Sequence, residues 1–343
     1  MKFIIAILIF SILVLFHELG HFLLAKKNGI RVNEFSLGLG PTLVGFTRGE
    51  TKYSLKLLPF GGACMMEGED GDSTDDRAFT NKSVWARISV VVAGPVFNFI
   101  MAFIFAFILT LCIGYDKPVV YDVMEGYPAQ EAGMEAGDLI RSMNGKRIHF
   151  YREVTMYSFF HPGEAVDITY ERDGEIYETM LQPAFDEESQ RYLIGFYGSG
   201  LQTKGSVWEA LKYSAFEVKY WISTTIDSLR MLVTGRVSAK DLSGPVGIVK
   251  TIGDTYDSSR KEGAYMVFLN MLNMTIFLSA NLGVMNLLPI PALDGGRLIF
   301  LLVEVVRRKR VDPEKEGMVH FVGLMILMVL MVFVLFNDIR NIL

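Results

Sequence analysis

The amino-acid sequence predicts a polytopic α-helical membrane protein with about four transmembrane helices, a membrane-associated β-hairpin segment and one inserted α+β domain. Hydrophobic residues make up 51% of the 343-residue chain and charged residues 21%, a balance that is too apolar for an ordinary soluble protein of this size. Asp, Glu, Lys and Arg are absent from four windows, residues 3–16, 88–115, 264–293 and 317–337. A helix needs roughly 20 apolar residues to cross a membrane, so these windows locate the predicted spans.

The charge and cysteine counts exclude several classes of protein. The 33 Lys and Arg residues against 38 Asp and Glu residues give a net charge of −5, so no basic surface argues for nucleic-acid binding. Cys64 and Cys112 are the only cysteines, which excludes a disulfide framework or a four-cysteine zinc site. Cysteine usage leaves the redox compartment open.

The first window is predicted to be a retained span. Its apolar character resumes at residues 22–25 after a polar interruption. A cleaved signal peptide is the alternative, but the segment ends in Ala25-Lys26-Lys27 without a small-x-small cleavage pattern.

The distribution of basic residues predicts the orientation of the spans. Lys and Arg are frequent between residues 26 and 87 and form a run at 307–310, so both segments are expected in the cytoplasm. Residues 116–204 contain more acidic than basic residues, as expected of a domain on the outer side. Four spans then leave both termini outside.

Residues 31–58 are predicted to form β-hairpins. Glycines and a turn at 48–50 divide this segment, and residues 51–57 alternate between apolar or aromatic and polar side chains. Pro59-Phe60-Gly61-Gly62 is expected to end the last strand. Residues 68–76 are polar and acidic, which predicts a solvated linker.

Residues 122–196 are predicted to form a separate small domain. A helix is expected at 148–160 and two strands at 166–170 and 176–181, joined by a turn at 172–175. Glycine-rich sequences at 123–145, including Gly126, Gly133, Gly137 and Asn144-Gly145, resemble those of the PDZ domains of bacterial proteases. In that resemblance residues 193–196 correspond to the peptide-binding loop; an unrelated small α/β domain is the alternative.

An amphipathic helix is predicted after this domain. Its apolar residues recur at helical spacing; they are Trp208, Leu211, Val218, Ile222, Ile226, Leu229 and Val233. The helix is expected either to lie on the membrane or to pack under the small domain.

The sequence His17-Glu18-Leu19-Gly20-His21 lies in the first predicted span. Residues four apart share one face of a helix, so the two imidazoles can bind one zinc ion while Glu18 reaches a water molecule at the metal. A cluster of buried polar groups with only a structural role is the alternative. Ionisable groups in a membrane span are costly and therefore favour metal binding.

A catalytic zinc site needs a third protein ligand. The other histidines are His149, His161 and His320, and Cys64 lies beyond the hairpins. Asp294 is the preferred candidate because it follows the third apolar window in a stretch interrupted by prolines and glycines. Irregular backbone at membrane depth is tolerated where it lines a buried cavity, and a buried carboxylate requires a partner.

These features together resemble the site-2 protease family of intramembrane zinc metalloproteases. The resemblance covers the N-terminal HExxH helix, the hairpin segment, one PDZ domain and the pattern Asn-x-x-Pro-x-x-x-x-Asp-Gly at 286–295. It implies Zn²⁺ bound by His17, His21 and Asp294, with Glu18 as the general base. It also implies that Asn286 steadies the substrate backbone or the oxyanion.

Within the family the chain resembles the bacterial regulators that cleave anti-sigma factors, in a form with one PDZ domain instead of two. Residues 94–98 and 243–247 also resemble family segments, and close helix packing is the expected reason. Segment boundaries follow: 1–26, first span; 27–82, cytoplasmic hairpins and linker; 83–115, second span; 116–204, PDZ domain; 205–263, amphipathic helix and linker; 264–306, third span; 307–316, basic cytoplasmic loop; 317–343, fourth span.

The expected function is cleavage of a transmembrane segment of a single-pass membrane protein in the bacterial cytoplasmic membrane, after a prior cut outside. The substrate is expected to be an anti-sigma factor or a signal-peptide remnant, and a peptide C-terminus is a possible ligand of the extracytoplasmic PDZ domain. The alternatives are a catalytically silent PDZ scaffold and a zinc transporter.

Overall fold

The computed structural model describes residues 2–69, 71, 73–236 and 243–342. These residues form two compact units, Met1–Phe105 with Val237–Leu343 and Ala106–Arg236. The parts of the predicted first span, acidic linker, amphipathic segment and fourth span that fall on residues 1, 70, 72, 237–242 and 343 lie outside the described residues.

Long apolar helices dominate the first unit. Among the described residues, four helices are long and apolar enough to cross a membrane, and they fall in the four predicted windows. Their bounds are α1 Lys2–Lys27, α2 Val84–Ile113, α7 Ala264–Asn286 and α9 Pro313–Ile342. The prediction of a helical membrane protein is confirmed. Helix α2 begins in the first unit and ends in the second.

The predicted hairpin segment is a sheet made by two long strands, β1 Val32–Arg48 and β2 Thr51–Met66. Residues 34–37 pair with residues 62–65 and also with residues 52–55, while residues 44–48 pair with residues 51–55. The expectation that residues 59–62 end the strand is wrong, because β2 continues to Met66. Pairing of residues 62–65 with residues 34–37 carries the strand past Pro59.

The third predicted segment, residues 264–306, is not one helix. Helix α7 ends at Asn286, and a separate helix, α8 Asp294–Arg307, follows the proline-containing turns. Proline lacks the backbone N–H that a helix interior requires. Ala292, between the two helices, has φ 76°, a left-handed conformation that does not continue an α-helix. Helix α9 also begins earlier than expected, with Pro313 in the first helical position.

Helix α6, Pro245–Glu262, gives residues 243–247, for which close helix packing is the predicted reason, a further role. The Asp338 carboxylate of α9 accepts hydrogen bonds from the backbone N–H groups of Gly244 and Gly247, each at 2.9 Å. Asp338 is buried. A carboxylate at a helix N-terminus satisfies free donors and the helix dipole, so this cap fastens α9 to α6.

The second unit is a small α+β domain followed by a long helix. Strands β6, β5, β7 and β8 form a sheet in that order, and the remaining strands pair as β4 with β11, β9 with β10 and β3 with β12. The bounds are β3 Tyr115–Asp116, β4 Val120–Val123, α3 Pro128–Glu131, β5 Leu139–Met143, β6 Lys146–Arg147, α4 Tyr151–Phe160, β7 Val166–Arg172, β8 Glu175–Leu181, β9 Ala184–Asp186, β10 Arg191–Leu193, β11 Phe196–Gly198, β12 Gln202–Thr203 and α5 Val207–Val233.

The predicted hairpin at 166–181 is confirmed by β7 and β8. The helix expected from residue 148 begins at Tyr151 instead. Glu153 accepts hydrogen bonds from the backbone N–H groups of His149 and Phe150, so the carboxylate caps the helix after these two residues.

Helix α5 has the predicted period, but part of its apolar stripe is exposed. The buried residues of α5 are Ala210, Ser214, Glu217, Tyr220 and Thr225. Trp208 is 79% exposed and Val233 is 87% exposed. Val218, Ile222 and Leu229 of the stripe are half-buried, so contact with the membrane and packing under the domain both stay predictions.

Removal of the Asp338 carboxylate is predicted to destabilise the first unit. Asp338→Ala leaves two buried helix N-terminal donors without their acceptor, and loss of such a cap costs about 1–2 kcal/mol. Thermal unfolding in detergent should show a lower Tm. Asp257→Ala is the control because its ion pair with Lys2 is at the surface, and it should leave Tm nearly unchanged. Equal Tm values for the two variants would contradict the role of the cap.

Candidate metal centre

Three side chains from distant parts of the sequence meet beside helix α1. His17 and His21 are four residues apart on the helix, and their Nε2 atoms are 3.2 Å apart. The Asp294 Oδ2 atom is 3.3 Å from Nε2 of His17 and 3.5 Å from Nε2 of His21. Among the residues that the structure describes, these three form the group that could hold a metal ion.

The loop before α8 delivers Asp294 to the histidines. Gly295 and Gly296 follow Asp294, and each packs against a backbone carbonyl. A Cβ atom on Gly295 would lie 2.2 Å from the Leu288 oxygen, and one on Gly296 would lie 2.4 Å from the Ile290 oxygen. Only glycine allows such a close approach, so the glycine pair permits the tight loop that positions Asp294.

His320 of α9 supports the same loop. The backbone N–H of Ala292 donates a hydrogen bond of 2.9 Å to His320 Nδ1, next to the left-handed φ of Ala292. A Cβ atom on Gly323, one turn further along α9, would lie 2.3 Å from Pro291 Cβ. His320 therefore positions the loop instead of binding the metal. In the sequence analysis this residue is considered only as a possible metal ligand.

Backbone and amide groups orient the two imidazoles. His21 Nδ1 lies 2.9 Å from the Val90 carbonyl oxygen, an acceptor that requires a proton on Nδ1. Its Nε2 then carries a lone pair toward Asp294. Partners of this kind fix the tautomer of metal-binding histidines.

The side-chain amide of Asn98 orients the imidazole of His17. It is fully buried, and its Nδ2 atom lies 3.2 Å from His17 Nδ1, while its Oδ1 atom is buried without a hydrogen-bond partner among the described residues. Amide oxygen and nitrogen are assigned from the hydrogen-bond network. Exchanging them satisfies Oδ1 with the His17 Nδ1–H and turns the Nε2 lone pair toward the metal group.

The sequence missed this role of Asn98. The segment 94–98 was noted, but close helix packing was the expected reason for it. A buried asparagine in an otherwise apolar span was the available signal, because a buried amide needs a partner.

Glycines bring α2 into contact with the metal group. A Cβ atom on Gly94 would lie 2.3 Å from His21 Nε2, and one on Gly20 would lie 2.4 Å from the Ala93 oxygen. The close packing expected at 94–98 is therefore present, and its purpose at Gly94 is to leave room for the imidazoles.

Glu18 and Asn286 flank the three ligating groups. A Cβ atom on Gly62 of β2 would lie 3.0 Å from Glu18 Cγ, so Glu18 faces the strand that ends the hairpin segment. The Asn286 Nδ2 atom is 3.5 Å from His17 Nδ1, a weaker contact than that of Asn98. Neither residue belongs to the described metal group.

The geometry of the group fits zinc. With protons on both Nδ1 atoms, the two Nε2 lone pairs and the Asp294 carboxylate point at one another. Asp294 Oδ2 is buried and has no hydrogen-bond partner among the described residues. Three converging acceptors need a cation between them, and two imidazole nitrogens with one carboxylate oxygen form a catalytic zinc set with one open position.

Comparison with known families decides the assignment. The model described as Peptidase family M50 matches residues 5–330. The chain belongs to peptidase family M50. The predicted resemblance to the site-2 proteases is confirmed, and the chain is a zinc metalloprotease and a multi-pass membrane protein, not a silent scaffold or a zinc transporter.

Two relatives of this M50 protease match over nearly the whole chain. A protein of Clostridium acetobutylicum named as a zinc metalloprotease is 40% identical over 336 residues, which cover 98% of this chain and 96% of the relative. The regulator of sigma-W protease RasP of Bacillus subtilis is 31% identical over 418 residues, which cover 98% and 97% of the two chains.

A solved PDZ domain of the SdrC-like protein from Listeria monocytogenes also matches. It is 23% identical, and the match covers 25% of this chain and 92% of that domain with a TM-score of 0.22. So low a score does not establish the fold, and the PDZ assignment stays a prediction.

Gly94→Ala is predicted to reduce zinc binding. The added methyl group would overlap the His21 and His17 rings, so one imidazole must turn away from the metal. Zinc per chain in the purified membrane protein, measured by elemental analysis, should fall well below one. Gly317→Ala is the matched control because no atom lies within 4 Å of its added Cβ. A full zinc complement in Gly94→Ala would refute the proposed packing.

Two Asn98 variants are predicted to show whether Asn98 orients His17 as a hydrogen-bond acceptor or only fills space. Asn98→Leu should weaken zinc binding about 10- to 100-fold, the typical loss for a removed partner of a metal-binding histidine. Asn98→Asp keeps an acceptor for the His17 Nδ1–H and should retain zinc. Competition with a chelator measures both affinities. If Asn98→Leu bound zinc as tightly as the wild type, Asn98 would have no positioning role.

Proposed function

We propose that this protease hydrolyses a peptide bond within the transmembrane helix of a single-pass protein in the bacterial cytoplasmic membrane. The observation that carries the proposal is the place of the metal group. Its two histidines lie inside α1, a helix long and apolar enough to span the membrane. Water-dependent chemistry placed there serves a substrate that is itself in the membrane.

In this proposal His17, His21 and Asp294 hold the zinc ion. Zinc, when bound, would polarise the scissile carbonyl group and lower the pKa of a bound water molecule to about 7. Glu18 accepts a proton from the attacking water and passes it to the leaving amine. The Asn286 amide hydrogen-bonds the substrate backbone or the developing oxyanion, an interaction worth about 3 kcal/mol for one well-placed donor.

A helical substrate must unwind before cleavage, because its backbone carbonyls are already hydrogen-bonded. Residues 62–65 of β2 offer a place for the extended form. They pair on one side with residues 34–37, and Gly62 packs against Glu18. Addition of the substrate as a further strand would satisfy its backbone groups in lipid and present the scissile bond to Glu18.

The second unit is proposed to act as an extracytoplasmic PDZ domain. A cavity of about 660 Å³ lies along α4 and residues 190–197, where the resemblance to PDZ domains expects the peptide-binding loop. Capture of a peptide C-terminus produced by an earlier cut and exclusion of untrimmed substrates are the two roles that this groove allows.

The substrate class is proposed to be an anti-sigma factor or a signal-peptide remnant. The name of the Bacillus subtilis relative, a regulator of sigma-W protease, supports the first of these. Such a substrate would be released to this enzyme by a prior cut on the outer side.

Glu18→Gln is predicted to abolish cleavage without loss of zinc. Glutamine cannot accept the proton from water, and removal of a general base costs about 10²- to 10⁴-fold in rate. Cleavage of a single-pass model substrate in proteoliposomes measures the rate, and elemental analysis measures zinc. Because Glu18 lies outside the ligand group, zinc should remain near one per chain.

Glu314→Gln provides the control for the same chemical change, since Glu314 is exposed at the start of α9. It should cleave at the wild-type rate. Unchanged cleavage by Glu18→Gln would overturn the proposed mechanism. Comparison of membrane-protein fragments in cells with the active enzyme and with Glu18→Gln identifies the natural substrates.

A further inference from the structure

The second unit contains a large cavity away from the proposed peptide groove. It has a volume of about 680 Å³ and lies between α5, β3 and the β5–β6 hairpin. The charged side chains that line it are Lys117, Arg141, Arg147, Glu171, Glu209 and Lys212. Four cations therefore face two carboxylates.

Both carboxylates already have partners. Glu171 accepts a hydrogen bond of 2.8 Å from Arg141 Nε. Glu209 accepts hydrogen bonds from the Ser206 N–H at 2.8 Å and from the Tyr115 hydroxyl at 3.2 Å. Both carboxylates therefore already accept hydrogen bonds from groups of the protein.

Three of the four basic side chains are available to bind an anion. Lys117, Arg147 and Lys212 are exposed, and none forms an ion pair with a described residue. Hydrogen bonds from Ser206 and Tyr115 lower the pKa of the Glu209 carboxyl group, and the nearby charge of Lys117 lowers it further. Burial lowers the pKa of His149, also in the lining, so this residue adds no positive charge at neutral pH. The cavity carries an excess of positive charge that suits an anion.

The cavity lies at the membrane end of α2. This helix ends at Ile113, and Tyr115 of β3 lines the cavity only two residues later. Strand β3 pairs with β12, as Gln202 with Asp116 and Thr203 with Tyr115. Helix α5 begins four residues after Thr203, so its first turns also lie beside the end of the spanning helix.

Exposed apolar residues lie next to the cations at this point. Leu201, Val207 and Trp208 are 69%, 60% and 79% exposed. Lys212 follows Trp208 by four residues, so both lie on one side of α5. Tryptophan beside lysine or arginine is the usual composition of a surface at the lipid headgroup level.

We propose that this cavity binds the phosphate headgroup of an anionic phospholipid from the leaflet in which α2 ends. The acyl chains would lie against the Leu201–Trp208 surface while Lys117, Arg147 and Lys212 contact the phosphate. The site goes beyond the proposed protease function and does not depend on it. Its consequence is that anionic lipid holds the second unit in a defined orientation on the membrane.

Lipid binding to the full-length protein tests this site. The protein in neutral detergent is titrated with phosphatidylglycerol or phosphatidylcholine, and bound lipid is counted by native mass spectrometry. The wild type should prefer phosphatidylglycerol. Each basic residue near an anionic headgroup is worth a factor of about five in affinity, so Arg147→Gln/Lys212→Gln should weaken phosphatidylglycerol binding more than tenfold.

Lys146→Gln/Arg230→Gln is the charge-matched control, because both residues are exposed in the second unit and neither lines the cavity or the proposed peptide groove. It should bind phosphatidylglycerol like the wild type. An equal loss in the control, or no preference for phosphatidylglycerol in the wild type, overturns the proposal. Glycerol phosphate without acyl chains should bind much more weakly; equal affinity would assign the cavity to a soluble phosphate ligand and overturn the lipid assignment.

Discussion

Three hydrogen-bond acceptors that point at one another beside a membrane-spanning helix are the constraint on which the rest of this protein depends. The two Nε2 atoms of His17 and His21 and the Asp294 carboxylate lie within 3.5 Å of one another. With both imidazoles neutral and protonated at Nδ1, this arrangement would be repulsive without a cation, and the repulsion is strong where water is scarce. The arrangement therefore favours binding of a divalent metal ion. That ion would link the N-terminal helix to a loop near the other end of the sequence.

Small residues make this arrangement sterically possible. Gly20 and Gly94 let α1 and α2 approach until the imidazoles contact the α2 backbone, and Gly295 and Gly296 let the Asp294 loop close on itself. Buried polar groups then orient what the glycines admit. Asn98 and the Val90 carbonyl set the two histidines, and His320 holds the strained backbone before Asp294. Packing and hydrogen bonding act on the same few residues. We therefore expect that adding a methyl group at one of these glycines, or removing the Asn98 amide, weakens metal binding as the loss of a ligand would.

The second unit shows that an amphipathic pattern predicts a helix but does not identify which residues of that helix are buried. Helix α5 has the predicted period, yet it packs with the face that carries Ser214, Glu217 and Thr225. The Arg152 guanidinium lies beside Glu217 and over the rings of Phe150 and Tyr220, so a paired charge lies among the aromatic contacts of that face. Trp208, Ile226 and Val233 of the apolar stripe are exposed instead.

The sequence by itself determined the four spans, the small inserted domain and the residue types of the metal group, because apolar length and i, i+4 spacing are local properties of the chain. It also selected Asp294, since a carboxylate among prolines and glycines needs a buried partner. Only the tertiary structure decided the extension of β2 past Pro59 and the positioning roles of Asn98 and His320. Each of these depends on which distant group lies within hydrogen-bonding distance. No local pattern encodes that distance, because it results from how the helices and the hairpin pack together.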